Sequence, residues 1–129
     1  MQNFGLLQHK KAMEGGCQMK YELKEVDGVK IVKLTGQIRI STQNQFKDLL
    51  DRLARENEGK TVIISMDGVI YMNSAGLGII IDTYKKFKEK KGKIILCNLL
   101  PDIEKLFEVT RLNRFIEIYS TEAEALSKL

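Results

Sequence analysis

The stretch that decides the fold runs from Thr61 to Asp82 and reads Thr61-Val-Ile-Ile-Ser-Met-Asp-Gly-Val-Ile-Tyr-Met-Asn-Ser-Ala-Gly-Leu-Gly-Ile-Ile-Ile-Asp82. Its β-branched run at residues 62–64 is typical of a strand that is covered on both faces. Asp67-Gly68 indicates a turn. Asn73 or Ser74 can then cap a helix, because either side-chain oxygen can accept a free N–H group of the first turn. We predict a buried strand, a turn and an apolar helix, with the Ser74 hydroxyl near the surface.

Two glycines follow the predicted cap. Gly76 and Gly78 allow the first helical turns to lie close against a neighbouring element. They do not form a dinucleotide-binding fingerprint, because Ile81 stands where the third glycine is required. Ser74 does not lie on a nucleophile elbow either, since Met72 occupies the position of the first glycine. The turn therefore carries no recognisable catalytic or nucleotide-binding motif.

Composition narrows the class of protein. The 129 residues suffice for one domain, and the 21 basic and 17 acidic residues give a modest net charge of +4. Cys17 and Cys97 are far apart and outside any Cys-x-x-Cys pattern, so we expect a reducing, cytoplasmic environment. No stretch has the apolar length of a signal peptide core or a membrane span. We expect no direct contact with a membrane.

The segments before the central stretch predict a hairpin and a helix. Residues 1–18 lack periodicity and are interpreted as a flexible extension, with at most one short helical turn, before a domain at 19–129. Asp27-Gly28 predicts a hairpin between two strands, the second of which we expect to end at Gly36. Ser41-Thr42 can cap a helix that ends near residues 57–59.

The segments after the central stretch alternate between helix and strand. The helix from Ser74 is expected to continue to about residue 91 and to close at Gly92. A buried strand at 93–97, a helix at 102–109 behind Pro101, an alternating strand at 115–119 and a short last helix follow. The order predicts an α/β fold: a mixed, mainly parallel sheet of about five strands with about four helices. Turns at the strand ends are then the natural functional edge.

Catalysis is not expected. His9, the only histidine, lies in the extension, so no triad can be built around it with a nearby nucleophile. The cysteines and the histidine have no metal-ligand spacing, and Cys97 is most simply a buried small hydrophobe. The lysine-rich run at 85–93 is better explained as the solvated face of an amphipathic helix than as a nucleic-acid contact. We predict no enzyme activity, no cofactor, no metal and no direct nucleic-acid partner.

Three segments together resemble a known family. They are residues 69–78 (Val-Ile-Tyr-Met-Asn-Ser-Ala-Gly-Leu-Gly), the Gly92 turn, and residues 98–112 (Asn-Leu-Leu-Pro-Asp-Ile-Glu-Lys-Leu-Phe-Glu-Val-Thr-Arg-Leu). Over residues 20–126 the chain resembles a STAS domain of the bacterial anti-sigma factor antagonist type. The resemblance implies an α/β fold and a serine, in the turn before the second helix, that a partner kinase phosphorylates. By position in the motif, that serine is Ser74.

The sequence departs from the usual pattern of this family at three places. Asn73 stands immediately before the serine where family members of this type usually have Asp. Arg39 follows Gly36-Gln37-Ile38 where an Asp is usual, and the usual Thr-Gly-Leu reads Thr110-Arg111-Leu112. Two of these changes replace a negative charge near the presumed partner face.

The resemblance implies a binding switch. The unphosphorylated domain is expected to bind an anti-sigma factor serine kinase and so free a sigma factor, the phosphorylated domain to let go, and a serine phosphatase to reset the switch. The partner-binding residues implied are Arg39, Asn73, Ser74, Ala75, Gly76, Leu77 and Gly78. Three alternatives stay open: Ser74 is only a helix cap, Ser41 or Thr42 is the modified hydroxyl, or the domain is a non-switching scaffold in a signalling or transport complex.

Overall fold

The computed structural model describes residues 9–12 and 19–129. Within these ranges the chain forms one six-stranded sheet, four α-helices and a 3₁₀ turn. In chain order the elements are β1 (His9–Ala12), β2 (Lys20–Val26), β3 (Val29–Ile38), α1 (Gln43–Glu56), β4 (Thr61–Met72), α2 (Ser74–Glu89), β5 (Lys93–Cys97), α3 (Pro101–Val109), the 3₁₀ turn (Leu112–Arg114), β6 (Glu117–Tyr119) and α4 (Glu122–Ser127).

The strands lie in the sheet in the order of the chain, from β1 to β6. The first three are antiparallel neighbours, and β3 to β6 run parallel. The hairpin between β2 and β3 turns at Asp27 and Gly28, with φ angles of 53° and 80°. Two positive φ angles in a two-residue loop are the mark of a type I′ turn. The predicted fold class, a mixed and mainly parallel α/β sheet, is confirmed.

The sheet is buried on both faces, as the β-branched runs predict. On one face, alternate residues of the central strands pack with α1, α2 and α3 in the main core, which includes Val32, Val62, Ile64, Ile94 and Leu96 with Phe46, Ile80 and Phe107. On the other face, the intervening residues pack with α4 in a smaller cluster of Ile31, Ile63, Ile95, Cys97 and Ala125. Adjacent residues of one strand thus point to opposite faces of the sheet and pack into different cores.

The predicted turn at Asp67-Gly68 is wrong, because β4 continues through it to Met72. Between the pairs Lys33–Ser65 and Thr35–Gly68, β4 advances by three residues while β3 advances by two, so β4 carries a bulge. A Cβ atom at Gly68 would lie 2.8 Å from the Leu34 carbonyl oxygen. The glycine therefore serves a close approach of two strands.

The predicted end of β3 at Gly36 is also wrong. Gly36 has a φ angle of +133°, which L side chains rarely adopt, and the strand continues to Ile38. A second register shift against β4 follows directly after this glycine. As a result β3 and β4 end side by side, with Ile38 paired to Met72.

The interpretation of residues 1–18 as a flexible extension falls mostly on residues 1–8 and 13–18, which lie outside the described residues. Within it, His9–Ala12 forms β1, antiparallel to β2, where the sequence predicted no strand. Pairing along a sheet edge uses backbone groups and needs no apolar alternation, so the sequence gives no signal for it.

The predicted strand at 115–119 is shorter than expected, because the 3₁₀ turn precedes it and leaves Phe115 64% exposed.

The closure of α2 is confirmed at Gly92, whose N–H donates to the Phe87 carbonyl at 2.8 Å. The left-handed residue there is Lys91, with a φ angle of 66°.

Candidate partner-binding site

Two turns lie side by side at the edge of the sheet where β3 and β4 end. Ile38 and Met72 are paired, and the Asn73 N–H donates to the Ile38 carbonyl at 2.9 Å. Arg39 directly follows Ile38, and Ser74 directly follows Asn73. The sheet register therefore brings these two residues to the same surface, although 35 positions separate them (74 − 39).

Asn73 is the cap of α2. Its Oδ1 accepts a hydrogen bond from the Gly76 N–H at 2.9 Å, and its Nδ2 donates to Gln43 Oε1 of α1 at 3.0 Å. Of the two residues that could cap this helix, Asn73 does so, and the alternative that Ser74 is the cap is wrong. Ser74 is the first helical residue and exposed. Among the described residues its hydroxyl has no hydrogen-bond partner.

Thr42 closes the turn after β3. Its hydroxyl accepts from the Arg39 N–H at 3.0 Å and donates to the Gln37 carbonyl at 2.6 Å. Thr42 precedes α1 but makes no side-chain cap, so the predicted capping role is wrong. Thr42 is only 2% exposed, which argues against it as a modified hydroxyl, whereas Ser41 is exposed.

A shallow concavity separates the two turns. Its lining combines polar and apolar side chains from both, namely Arg39, Ile40, Ser41, Gln43, Tyr71, Asn73, Ser74 and Ala75. Ile40 is 86% exposed and Tyr71 is 49% exposed, so two large apolar side chains stand in water beside Ser74. Exposed apolar surface rimmed by polar groups is typical of a protein interaction site.

The predicted partner-binding residues occupy different positions in this surface. Arg39, Ser74 and Gly78 are exposed, and Asn73, Ala75 and Leu77 are half-buried. Gly76 is buried: a Cβ atom there would lie 2.6 Å from Met72 Cγ and 3.0 Å from Ile38 Cγ2. Gly76 thus lets α2 approach the strand ends, while a Cβ at Gly78 meets nothing within 4 Å, so its predicted packing role is wrong.

Sequence reasoning missed three residues of this surface, which are Ile40, Gln43 and Tyr71. Ile40 gave a usable signal, since an isolated isoleucine within the polar run Arg39-Ile-Ser-Thr-Gln is hard to explain by burial. Tyr71 and Gln43 gave none, because their place beside Ser74 depends on the register of β3 against β4. The role of the whole set in partner binding stays a prediction.

Residues 9–12 and 19–129 contain no group of three or more His, Cys, Asp or Glu side chains that could hold a metal ion. No helix in these ranges is long and apolar enough to cross a membrane. Cys97 is fully buried, as predicted, and burial raises the pKa of its thiol to about 11.

Fold and site together define a small α/β domain whose candidate site is an exposed sheet edge. The STAS domain family matches residues 20–125 of the chain. The chain therefore belongs to the STAS domain family, and the resemblance seen in the sequence is confirmed.

Relatives and solved structures agree with this assignment. The chain is 27% identical over 111 residues to the anti-sigma F factor antagonist of Paenibacillus polymyxa, covering 86% of this chain and 95% of the relative. It is 32% identical over 104 residues to the anti-sigma-B factor antagonist of Listeria monocytogenes, covering 80% and 90%.

Among solved structures, an anti-sigma factor antagonist from Mycobacterium paratuberculosis superposes with a TM-score of 0.76 at 22% identity, over 85% of this chain and 92% of that one. The Bacillus cell fate determinant SpoIIAA in its phosphorylated form gives 0.63 at 21% identity, over 84% and 97%. These similarities show that the fold is shared.

Proposed function

We propose that this protein is an anti-sigma factor antagonist that works as a phosphorylation-controlled binding switch. Unphosphorylated, it binds an anti-sigma factor serine kinase in the cytoplasm and so frees a sigma factor. The observation that carries the proposal is the exposed hydroxyl of Ser74, without a hydrogen-bond partner among the described residues, beside the exposed side chains of Ile40 and Tyr71. The names of the two relatives support the assignment to this class of regulator.

The covalent step would belong to the partner kinase. Ser74 Oγ attacks the terminal phosphorus of ATP, ADP leaves, and the hydroxyl proton passes to a base of the kinase. ATP and its metal ion are bound by the kinase, so this chain needs no cofactor. A serine phosphatase reverses the step by hydrolysis, which regenerates the hydroxyl and releases inorganic phosphate.

A phosphate on Ser74 would oppose binding for an electrostatic reason. It adds close to two negative charges and three acceptor oxygens to a surface on which Ile40 is 86% exposed. A partner that covers this surface must strip water from the phosphate, which is costly unless new charge pairs form. The fold itself is compatible with phosphorylation, since a solved structure with the same fold is a phosphorylated form.

The test is the mass of the protein purified from its own cells during growth and under stress, followed by peptide mapping. We expect a phosphate on Ser74 whose occupancy changes with the condition. Ser41, which is exposed in the neighbouring turn, is the internal control for site selectivity. An unmodified Ser74 in every condition would contradict the switch and favour a non-switching scaffold domain.

A second test measures how variants bind the kinase that co-purifies with the wild-type protein from its own cells. Ser74→Ala should bind but resist phosphorylation, whereas Ser74→Asp should bind weakly because it places a charge at the interface. Ser127→Ala, at the end of α4 and outside the concavity, should behave like the wild type in binding and in phosphorylation. Equal binding of Ser74→Ala and Ser74→Asp would argue that Ser74 does not control the interface.

A further inference from the structure

Arg39 carries the only charge among the side chains that line the concavity beside Ser74 in the described part of the chain. Tyr71 is the only other ionisable group of that lining. Arg39 is exposed, and no carboxylate of residues 19–129 forms a salt bridge with it. The guanidinium is therefore available to an anion that arrives at this surface.

Backbone hydrogen bonds fix the turn that carries Arg39. The Arg39 carbonyl accepts from the N–H groups of Thr42 and Gln43 at 3.0 and 2.8 Å, and its own N–H donates to the Thr42 hydroxyl. This turn is joined to the Ser74 turn by the bond from the Asn73 N–H to the Ile38 carbonyl, and by the contact between Asn73 Nδ2 and Gln43 Oε1. The two turns are therefore hydrogen-bonded to each other and form one continuous surface.

Neighbouring strands of a sheet lie about 4.8 Å apart. Arg39 directly follows Ile38, which is paired with Met72, and Ser74 directly follows Asn73, whose N–H donates to the Ile38 carbonyl at 2.9 Å. The long, flexible stem of an arginine spans such a separation with ease. A guanidinium also matches the oxygens of a phosphate with two parallel N–H···O bonds.

We propose that Arg39 is an internal ligand for a phosphate on Ser74, and that the ion pair between them determines the charge that this surface presents once Ser74 is phosphorylated. This inference rests on the proposed function, because it concerns the phosphorylated form of the same serine. Phosphorylation then changes the surface twice: it adds negative charge at Ser74 and removes the positive charge of Arg39 from the reach of a partner. An aspartate at position 39 would instead repel the phosphate.

The test is ³¹P NMR titration of the full-length protein with phosphoserine incorporated at position 74 during translation. The second pKa of a phosphoserine is near 6. An exposed ion pair with Arg39 should lower this second pKa. We therefore expect the titration midpoint of the phosphorylated Arg39→Gln variant to lie about 0.2–0.7 pH units above that of the phosphorylated protein that keeps Arg39. The difference should shrink in 1 M salt, where the screening length falls to about 3 Å.

Two further variants separate charge from structure. Arg39→Lys keeps the charge and should retain most of the shift. Arg55→Gln removes a charge from the other end of α1, about 18 Å from Gln43 along the helix, and should leave the midpoint unchanged. Equal midpoints for the unchanged protein and Arg39→Gln would overturn the inference.

The phosphate is incorporated without the kinase, so this test does not depend on whether cells modify Ser74. A phosphate found on Ser74 in cells together with equal midpoints would reject the role of Arg39 alone. Absence of phosphate in cells together with a clear shift would reject the proposed function and leave the contact as a property of the surface.

Discussion

At the scale of single residues, Asn73 holds the site together. One side chain caps α2 through its oxygen and joins α1 through its nitrogen, at 2.9 and 3.0 Å. We expect Asn73→Ala to lower the free energy of unfolding by about 1 kcal/mol, the usual cost of a lost helix cap. Urea denaturation followed by circular dichroism measures this change.

Asn73→Asp is the matched control, because a carboxylate can still accept from the Gly76 N–H and is favoured near the positive end of a helix. Its stability should be within about 0.5 kcal/mol of the wild type. That result would show that asparagine is not required at this position for stability. A loss as large as that of Asn73→Ala would mean that the bond to Gln43, rather than the cap, carries the effect.

The two glycines of α2 should respond in opposite ways to alanine. Alanine is favoured over glycine in a helix interior by about 1 kcal/mol, and Gly78 has open space around it, so Gly78→Ala should stabilise the protein. At Gly76 the new methyl would overlap Met72 Cγ at 2.6 Å and crowd the stiff, β-branched Ile38. Overpacking costs about 1–3 kcal/mol, so Gly76→Ala should be destabilising on balance. Thermal melts of the two variants side by side check the prediction, and a stabilised Gly76→Ala would contradict it.

The sequence located Ser74 but could not place its neighbours. Cap geometry had two equivalent candidates, Asn73 and Ser74, because both are good capping residues. The shared surface of Arg39 and Ser74 depends on how β3 and β4 align over their last residues, and the order of apolar and polar residues does not fix that register. The partner-binding set implied by the family resemblance includes Arg39 but not Tyr71, which lines the same concavity.

At the scale of elements, Asp51 connects α1 to α2. Its carboxylate accepts hydrogen bonds from Lys47 Nζ at 2.8 Å in its own helix and from Lys86 Nζ at 2.7 Å in the next. The bond from Lys47, then that from Lys86, lowers the pKa of Asp51. The carboxylate side chain is 21% exposed, so solvent screens the pairs only in part.

Asp51→Asn should lower the free energy of unfolding at pH 7 by about 0.5 kcal/mol. Because the folded-state pKa lies below the unfolded value of about 3.9, the stabilisation is present above that pH and is lost as pH falls through the folded pKa. The gap between wild type and Asp51→Asn should therefore narrow at pH 3. Asp48→Asn, on the exposed face of the same helix, should differ little in stability from the wild type at either pH. If the stability difference between the wild type and Asp51→Asn widened in acid, the role of the Asp51 ion pairs would be contradicted.

Elements were predicted well where periodicity is strong and poorly where backbone geometry overrides residue type. The helices and the buried strands at 62–64 and 93–97 were found from their apolar patterns. Asp67-Gly68 and Gly36 were misinterpreted as breaks, although both lie inside strands. A glycine at a bulge and a glycine at a turn look alike in sequence, because both exploit the missing side chain.

At the scale of the whole molecule, the sheet divides the apolar residues between two cores of unequal size. The larger lies under α1, α2 and α3, and the smaller lies under the short helix α4. A salt bridge at 2.8 Å between Lys24 of β2 and Glu122 of α4 links this short helix to the sheet. The sequence predicted burial of the strands on both faces, but not which helices cover which face, because strand patterns are the same for either arrangement.

Cys97 reports on the smaller core, since it lies at the end of β5 among Ile31, Ile63 and Ala125. Its thiol is fully buried with a pKa of about 11, so at pH 8 about one thousandth of it is the reactive thiolate. We expect a Cys17→Ser variant, in which Cys97 is the only thiol, to react with a thiol reagent only as fast as the structure opens.

Labelling rates measured across a urea series distinguish two kinds of opening. If α4 and the sheet unfold as one unit, the rate should follow the unfolded fraction measured by circular dichroism. If α4 detaches alone, labelling should exceed that fraction at low urea, and Lys24→Gln, which removes the salt bridge to Glu122, should increase the excess. We expect the first result, because Ala125 of α4 is fully buried in the same cluster as Cys97 and Ile63 of the sheet. Rapid labelling in the absence of urea would contradict the burial of this face of the sheet.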